Sequence, residues 1–156
     1  MKYIITIFIY IISISNHLAG NDYVIEMFFI NDERDFDVMK FPDDSVIRQF
    51  KSAANWQDNR GDYGHLECIG HYVSIISEGT SLKNYCYGKN QKDEEFWFTM
   101  ERNSEDYDAG IGNTKYLYGN GKYKKYIGIK CTYGIRIIKK EGRGFLKQKC
   151  PMVKNH

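Results

Sequence analysis

The sequence predicts a mainly β protein: antiparallel strands in two divergent disulfide-bridged repeats, with one short helix near residues 44–54. Three observations point that way. Tyr, Ile, Phe and Val dominate the periodic segments, as residues that suit a pleated, half-buried surface do. Gly, Asn and Asp punctuate them in the manner of turns. Finally, Cys68 to Cys86 and Cys131 to Cys150 span nearly equal intervals of similar sequence.

At the start of the chain, Lys2 precedes an apolar stretch from Tyr3 to Ile14, and Leu18-Ala19-Gly20 supplies small residues suited to cleavage before Asn21. Residues 1–20 therefore read as a secretory signal peptide, and residues 21–156 as a single secreted domain. The apolar stretch is shorter than the roughly 20 residues a spanning helix needs, and no later segment reaches that length, so no transmembrane segment is expected. A leader and four cysteines imply an oxidising compartment and paired thiols. Four cysteines allow three connectivities. No Asn-x-Ser/Thr acceptor occurs, which leaves the surface free of N-linked sugar.

The repeat reading rests on order. Glu67-Cys68, Val73-Ser74-Ile75-Ile76, Glu78-Gly79 and Leu82 to Cys86 are matched by Lys130-Cys131, Ile135-Arg136-Ile137-Ile138, Glu141-Gly142 and Leu146 to Cys150. Each unit reads as a hairpin whose ends approach closely enough to bridge, so pairing within each unit is the expected connectivity. Upstream, Glu26-Met27-Phe28-Phe29 resembles Glu95-Phe96-Trp97-Phe98, which extends the copies to residues 22–86 and 92–150. The helix is expected because Pro42, Asp43 and Asp44 precede Val46, Ile47, Phe50, Ala53 and Ala54 at helical spacing. Asp32–Asp37 and Asn103–Gly112 read as exposed acidic loops.

Charge is divided along the chain. From Asn21 to Gly110 there are nine Lys and Arg against nineteen Asp and Glu, and from Ile111 to His156 twelve against one. One reading is that the two parts compensate each other within the fold; the other is that the basic part meets an outside polyanion. From Lys122 to Lys140 the odd positions Ile127, Ile129, Cys131, Tyr133, Ile135 and Ile137 are apolar or aromatic, while the even positions include Lys122, Lys124, Lys130, Arg136 and Lys140. That period of two predicts one continuous strand with a cationic outer stripe, its like residues about 6.6 to 7 Å apart. Such a stripe suits a sulfated glycan, with Arg143, Lys147 and Lys149 widening it. No nucleic acid is expected as partner, since that role would rest on charge and interspersed tyrosines alone.

Arg60-Gly61-Asp62 resembles the recognition tripeptide of integrin ligands, and Asp58, Asn59, Gly61 and Gly64 put it in a loop. The resemblance implies that Asp62 offers a carboxylate to a receptor metal, that Arg60 reaches an acidic site, and that Gly61 permits the turn. An extracellular protein receptor or a sulfated glycan is thus the expected partner.

Several fragments together resemble the dermatopontin family of secreted, tyrosine-rich matrix proteins. They are Trp56 ahead of Cys68, Cys131-Thr132-Tyr133-Gly134 ahead of Ile137, Asp93-Glu94-Glu95-Phe96-Trp97-Phe98, and Arg143-Gly144-Phe145 through to Cys150. The resemblance implies a β-rich matrix protein with disulfides local to each repeat, cell adhesion, and binding to sulfated glycans.

Catalysis is not expected, and no catalytic residue, metal ligand set or cofactor is assigned. His65 and His71 share one side of the strand through Cys68 with Glu67 between them, so a small secreted hydrolase acting on nucleic acid or glycan is the alternative from another class. A secreted protein inhibitor presenting a rigid loop is a further alternative.

Overall fold

The computed structural model describes residues 22–30 and 37–153. The leader expected at residues 1–20, and the acidic loop expected at Asp32–Asp37 except its last residue, lie outside the described residues. Nine strands form one antiparallel sheet: β1 (Tyr23–Ile30), β2 (Asp37–Lys40), β3 (Val46–Asp58), β4 (Tyr63–Ile75), β5 (Gly79–Asn90), β6 (Glu95–Arg102), β7 (Ala109–Gly119), β8 (Lys130–Ile138) and β9 (Arg143–Cys150). From β3 to β9 each strand pairs with the next, and β1 pairs with both β9 and β3, closing eight strands into an up-and-down barrel. The short β2 continues along the same edge of β3, at Val46 to Gln49, beyond the stretch that β1 occupies. Closure leaves those eight strands without a free edge.

The interior is filled by alternate residues of each strand, among them Tyr23, Ile25 and Met27 of β1, Trp56 of β3, and Phe96, Phe98 and Met100 of β6. A barrel of eight strands has an interior just wide enough for side chains to fill, and here the filling is aromatic. Small residues make room for it: a side chain at Gly112 of β7 would begin 2.6 Å from the Tyr133 ring. Both disulfides lie in this core, Cys68–Cys86 between β4 and β5 and Cys131–Cys150 between β8 and β9. Each bridges the ends of one hairpin, as the spacing of the cysteines predicts. The mainly β class holds, whereas the sheet is one closed barrel and does not divide into two bridged halves. A smaller cluster of Phe50, Tyr72 and Leu82, flanked by Val46 and Tyr107, lies where β3, β4 and β5 run on past the main core.

Three local expectations are corrected, the first being that the loop expected at Asn103–Gly112 stops at Asp108, since β7 begins at Ala109. Residues 46–54 are strand, not helix: β3 pairs with β4 from Val46 to Gln57 and with β1 and β2 along its other edge. Ladders on both edges outweigh a spacing of apolar residues that a helix would also accept. The chain from Lys122 to Lys140 is not one strand either. Gly121–Tyr126 is a 3-10 helix and β8 begins at Lys130. Three residues per turn bring Tyr123 and Tyr126 to one side, and both rings are buried in the barrel floor, where Tyr126 stacks on Tyr23 at 4.7 Å.

Candidate functional site

Alternation decides which side chains of β7, β8 and β9 meet solvent. Inward positions of β8 are Cys131, Tyr133, Ile135 and Ile137, so Lys130 and Arg136 project outward, about 20 Å apart along the strand. The register sets Lys115 of β7 directly opposite Lys130, and Arg143 of β9 opposite Ile138. All four cations are exposed. Two neighbours on β9 are neutralised, because barrel closure sets the acidic β1 beside the basic β9: Lys147 pairs with Glu26 at 3.1 Å and Lys149 with Asp22 at 2.6 Å. Hydrogen bonds from Gln57 and then Lys147 hold the Glu26 carboxyl below its ordinary pKa. Among the described residues no acid forms an ion pair with Lys115, Lys130, Arg136 or Arg143. Lys124 and Lys140 are exposed but lie off the strand, in 3-10 turns.

On the outer face of β5, β6 and β7, Tyr87, Trp97 and Tyr118 form a row across three strands. The Tyr87 and Trp97 rings are 5.0 Å apart, and Trp97 and Tyr118 5.2 Å. The Tyr87 hydroxyl donates to Glu95 at 2.8 Å, which raises its pKa. Sequence reasoning singled out none of these as site residues, yet three aromatics in succession at 96–98 require the middle one to leave the barrel interior.

The Arg60-Gly61-Asp62 turn lies at the end of the barrel where β3 passes into β4, with Gly61 at φ +85°. Arg60 donates through Nη1 to the Tyr126 hydroxyl at 2.7 Å and its guanidinium stands 4.8 Å from the Tyr23 ring centre. Asp62 forms an ion pair with Lys122 and accepts from Gln91 Nε2 at 2.8 Å. Burial lowers the Lys122 pKa, with Arg60 and Lys125 adding to the effect and Asp58 opposing it. Both charged ends of the tripeptide are therefore engaged within the fold, and Lys122 belongs to this corner and not to the β8 face.

His65 and His71 do lie on β4 with Glu67 between them, and His65 Nε2 is 3.4 Å from Glu67 Oε1. Six residues of extended chain separate the two imidazoles by about 20 Å, so they do not form one site. Among the described residues no three His, Cys, Asp or Glu gather closely enough to hold a metal ion, and no helix is long and apolar enough to cross a membrane. No family model, curated protein or solved structure matches the chain.

Proposed function

We propose that this is a secreted, non-enzymatic binding protein that holds sulfated glycans against the outer face of β7, β8 and β9. The carrying observation is the pair Lys115 and Lys130, opposite each other with no acid between them and continued by Arg136 and Arg143. Like charges directly opposite destabilise a sheet, and a polyanion laid across them turns that cost into attraction. Two buried disulfides are compatible with the oxidising exterior the proposal requires. The row of Tyr87, Trp97 and Tyr118 adds aromatic surface on the neighbouring strands, each ring a separate face against which a sugar can pack. The dermatopontin-like fragments and the duplication are part of the same reading, supported by bridges that recur four strands apart, at β4–β5 and at β8–β9.

Retention on immobilised heparin tests the reading. Lys130→Glu with Arg136→Glu should elute at clearly lower salt than wild type, because exposed charges are screened as ionic strength rises. Lys147→Glu should shift elution less, since Glu26 already neutralises Lys147. Retention unchanged by the double variant would remove the proposal.

An adhesive role for Arg60-Gly61-Asp62 is the second reading, and it carries a condition. A receptor metal takes the Asp62 carboxylate only after the Lys122 pair opens, so adhesion through it should strengthen in Lys122→Met and vanish in Asp62→Ala. Cell adhesion that ignores both variants would exclude this route.

A further inference from the structure

The end of the barrel opposite the tripeptide holds a cavity whose polar lining is incomplete. It is walled by Phe29, Leu82, Met100 and Ile135, together with Asn84, Arg102, Tyr107 and Tyr133. Its enclosed volume is about 40 Å³, within roughly 550 Å³ of space when the open mouth is included. The enclosed part is a slender slot far smaller than the roughly 300–1,000 Å³ of pockets that enclose a whole ligand, so a bound molecule would put a narrow charged end inside and leave the rest of its chain in the mouth.

Its chemistry is set by one side chain. Arg102, at 5% exposure, enters the barrel as the next inward residue after Phe96, Phe98 and Met100. Nη2 donates to the Tyr107 carbonyl, while Nη1 has no partner. The Tyr133 hydroxyl is also buried without a partner. Arg48 brings a second guanidinium to the same corner, 5.6 Å from the Tyr107 ring centre, with Nε unpartnered. Among the described residues no carboxylate forms an ion pair with Arg102. A buried guanidinium without a counter-charge costs several kcal/mol, and the walls around it are mostly apolar, the polar side chains among them being Tyr107, Tyr133, Ser52, Lys51 and Asn84, whose Oδ1 is likewise buried without a partner.

An anion would complete this arrangement. A multiply charged or strongly hydrated one would meet an apolar slot with a single deep cation, so the match is a single charge carried on hydrocarbon. We propose that the open end of the barrel binds a small organic monoanion, a carboxylate on a slender aliphatic body, with the carboxylate at Arg102 Nη1 and Tyr133 and the aliphatic part against Leu82, Met100 and Ile135. The site is separate from the outer glycan face: Arg102 points into the barrel, whereas Lys130 and Arg136 point out of it.

Titration calorimetry on the mature chain with sodium octanoate, 1-octanol and inorganic phosphate tests this. Octanoate should bind saturably, and octanol should bind at least tenfold more weakly, since a hydrogen bond to a charged group contributes about 1.5–3 kcal/mol. Arg102→Met should weaken octanoate by tenfold or more and abolish its preference over octanol. Tyr133→Phe, which preserves the wall, should weaken it by a few-fold, and melting curves of both variants establish that they are folded. No saturable octanoate binding at millimolar concentration, equal binding of octanol, tighter binding of phosphate, or unaltered binding by folded Arg102→Met would each overturn the proposal.

Discussion

At one end of the barrel Arg60 donates to Tyr126, lies against the Tyr23 ring and sits two residues from Asp62 of the Asp62–Lys122 pair. At the other, Arg102 keeps one donor on the Tyr107 carbonyl and leaves Nη1 without a partner. Both are arginines on apolar, aromatic surroundings, and their difference lies in what the neighbouring turns supply. The 3-10 helix Gly121–Tyr126 lays two tyrosines across the first end. The turn between β6 and β7 brings Tyr107 to the second and leaves a slot beside it. Arg60 lies exposed over an end that tyrosines already fill, whereas Arg102 is buried with a donor in reserve and marks where something else can enter.

Packing should separate the two ends most strongly. Tyr123→Ala, at the closed end, should cost about 3–5 kcal/mol, and Leu82→Ala, beside the existing cavity, about 2 kcal/mol, both read from urea unfolding. Equal losses would mean that the open end is as tightly filled as the closed one. Alkaline titration gives the next largest contrast. Burial raises the pKa of Tyr23, Tyr116 and Tyr123 at the closed end, and pushes Tyr133 at the open end up to about 12 despite the opposing charge of Arg102. Groups whose folded pKa is raised contribute stability that is complete below their unfolded pKa of about 10 and is lost as pH rises through the folded values, roughly 3 kcal/mol for Tyr133 alone. Stability should therefore fall above about pH 10. Ultraviolet titration should find Tyr133 ionising before Tyr23, and the reverse order would contradict the assignment of Arg102 to its side.

The two arginines should respond with opposite sign. Arg60→Met removes the bond to Tyr126 and the contact with Tyr23 and should cost about 1–2 kcal/mol. Arg102→Met removes a buried charge without a counter-ion and should leave the melting temperature unchanged or raise it. A loss at Arg102 as large as that at Arg60 would mean that its partners are complete already. The smallest effect belongs to the ion pair at the closed end: Asp62→Asn should cost about 0.5–1 kcal/mol, less in high salt, by the same melting measurement.

Local chemistry made the class and the bridges legible in the sequence. Period two over Cys131, Tyr133, Ile135 and Ile137 gave β8, and each bridge joins the two strands of a hairpin whose turn residues could be read directly. Closure was not legible, because β1 and β9 are joined by ladder bonds between residues such as Tyr23 and Cys150, far apart in the chain. Residues 46–54 became strand and not the expected helix through pairing with β4 along their whole length, with β2 and β1 on the other edge. Arg102 carried a usable signal: the inward alternation of Phe96, Phe98 and Met100 continues to it, against the expectation that a charged residue ends a buried run. The engagement of Arg60 and Asp62 was hidden for another reason, since Tyr126, Lys122 and Gln91 reach them from other turns.

A barrel sealed by its first and last strands also fixes the order in which the chain can mature. The hairpin carrying Cys68–Cys86 closes a loop with a sequence separation of 18 residues and can form early, whereas Cys131–Cys150, with a separation of 19, ties β8 to β9 and needs the last strand of the barrel. The seam between Tyr23 and Cys150 must wait until β9 has been synthesised. Until then β1 and β8 each present an unpaired edge, the kind of surface on which growing chains stick to one another. High sequence separation at the last step also makes for slow folding. The protein should therefore be most vulnerable to aggregation just before β9 docks, a stage at which Cys68–Cys86 can already have closed and Cys131–Cys150 cannot.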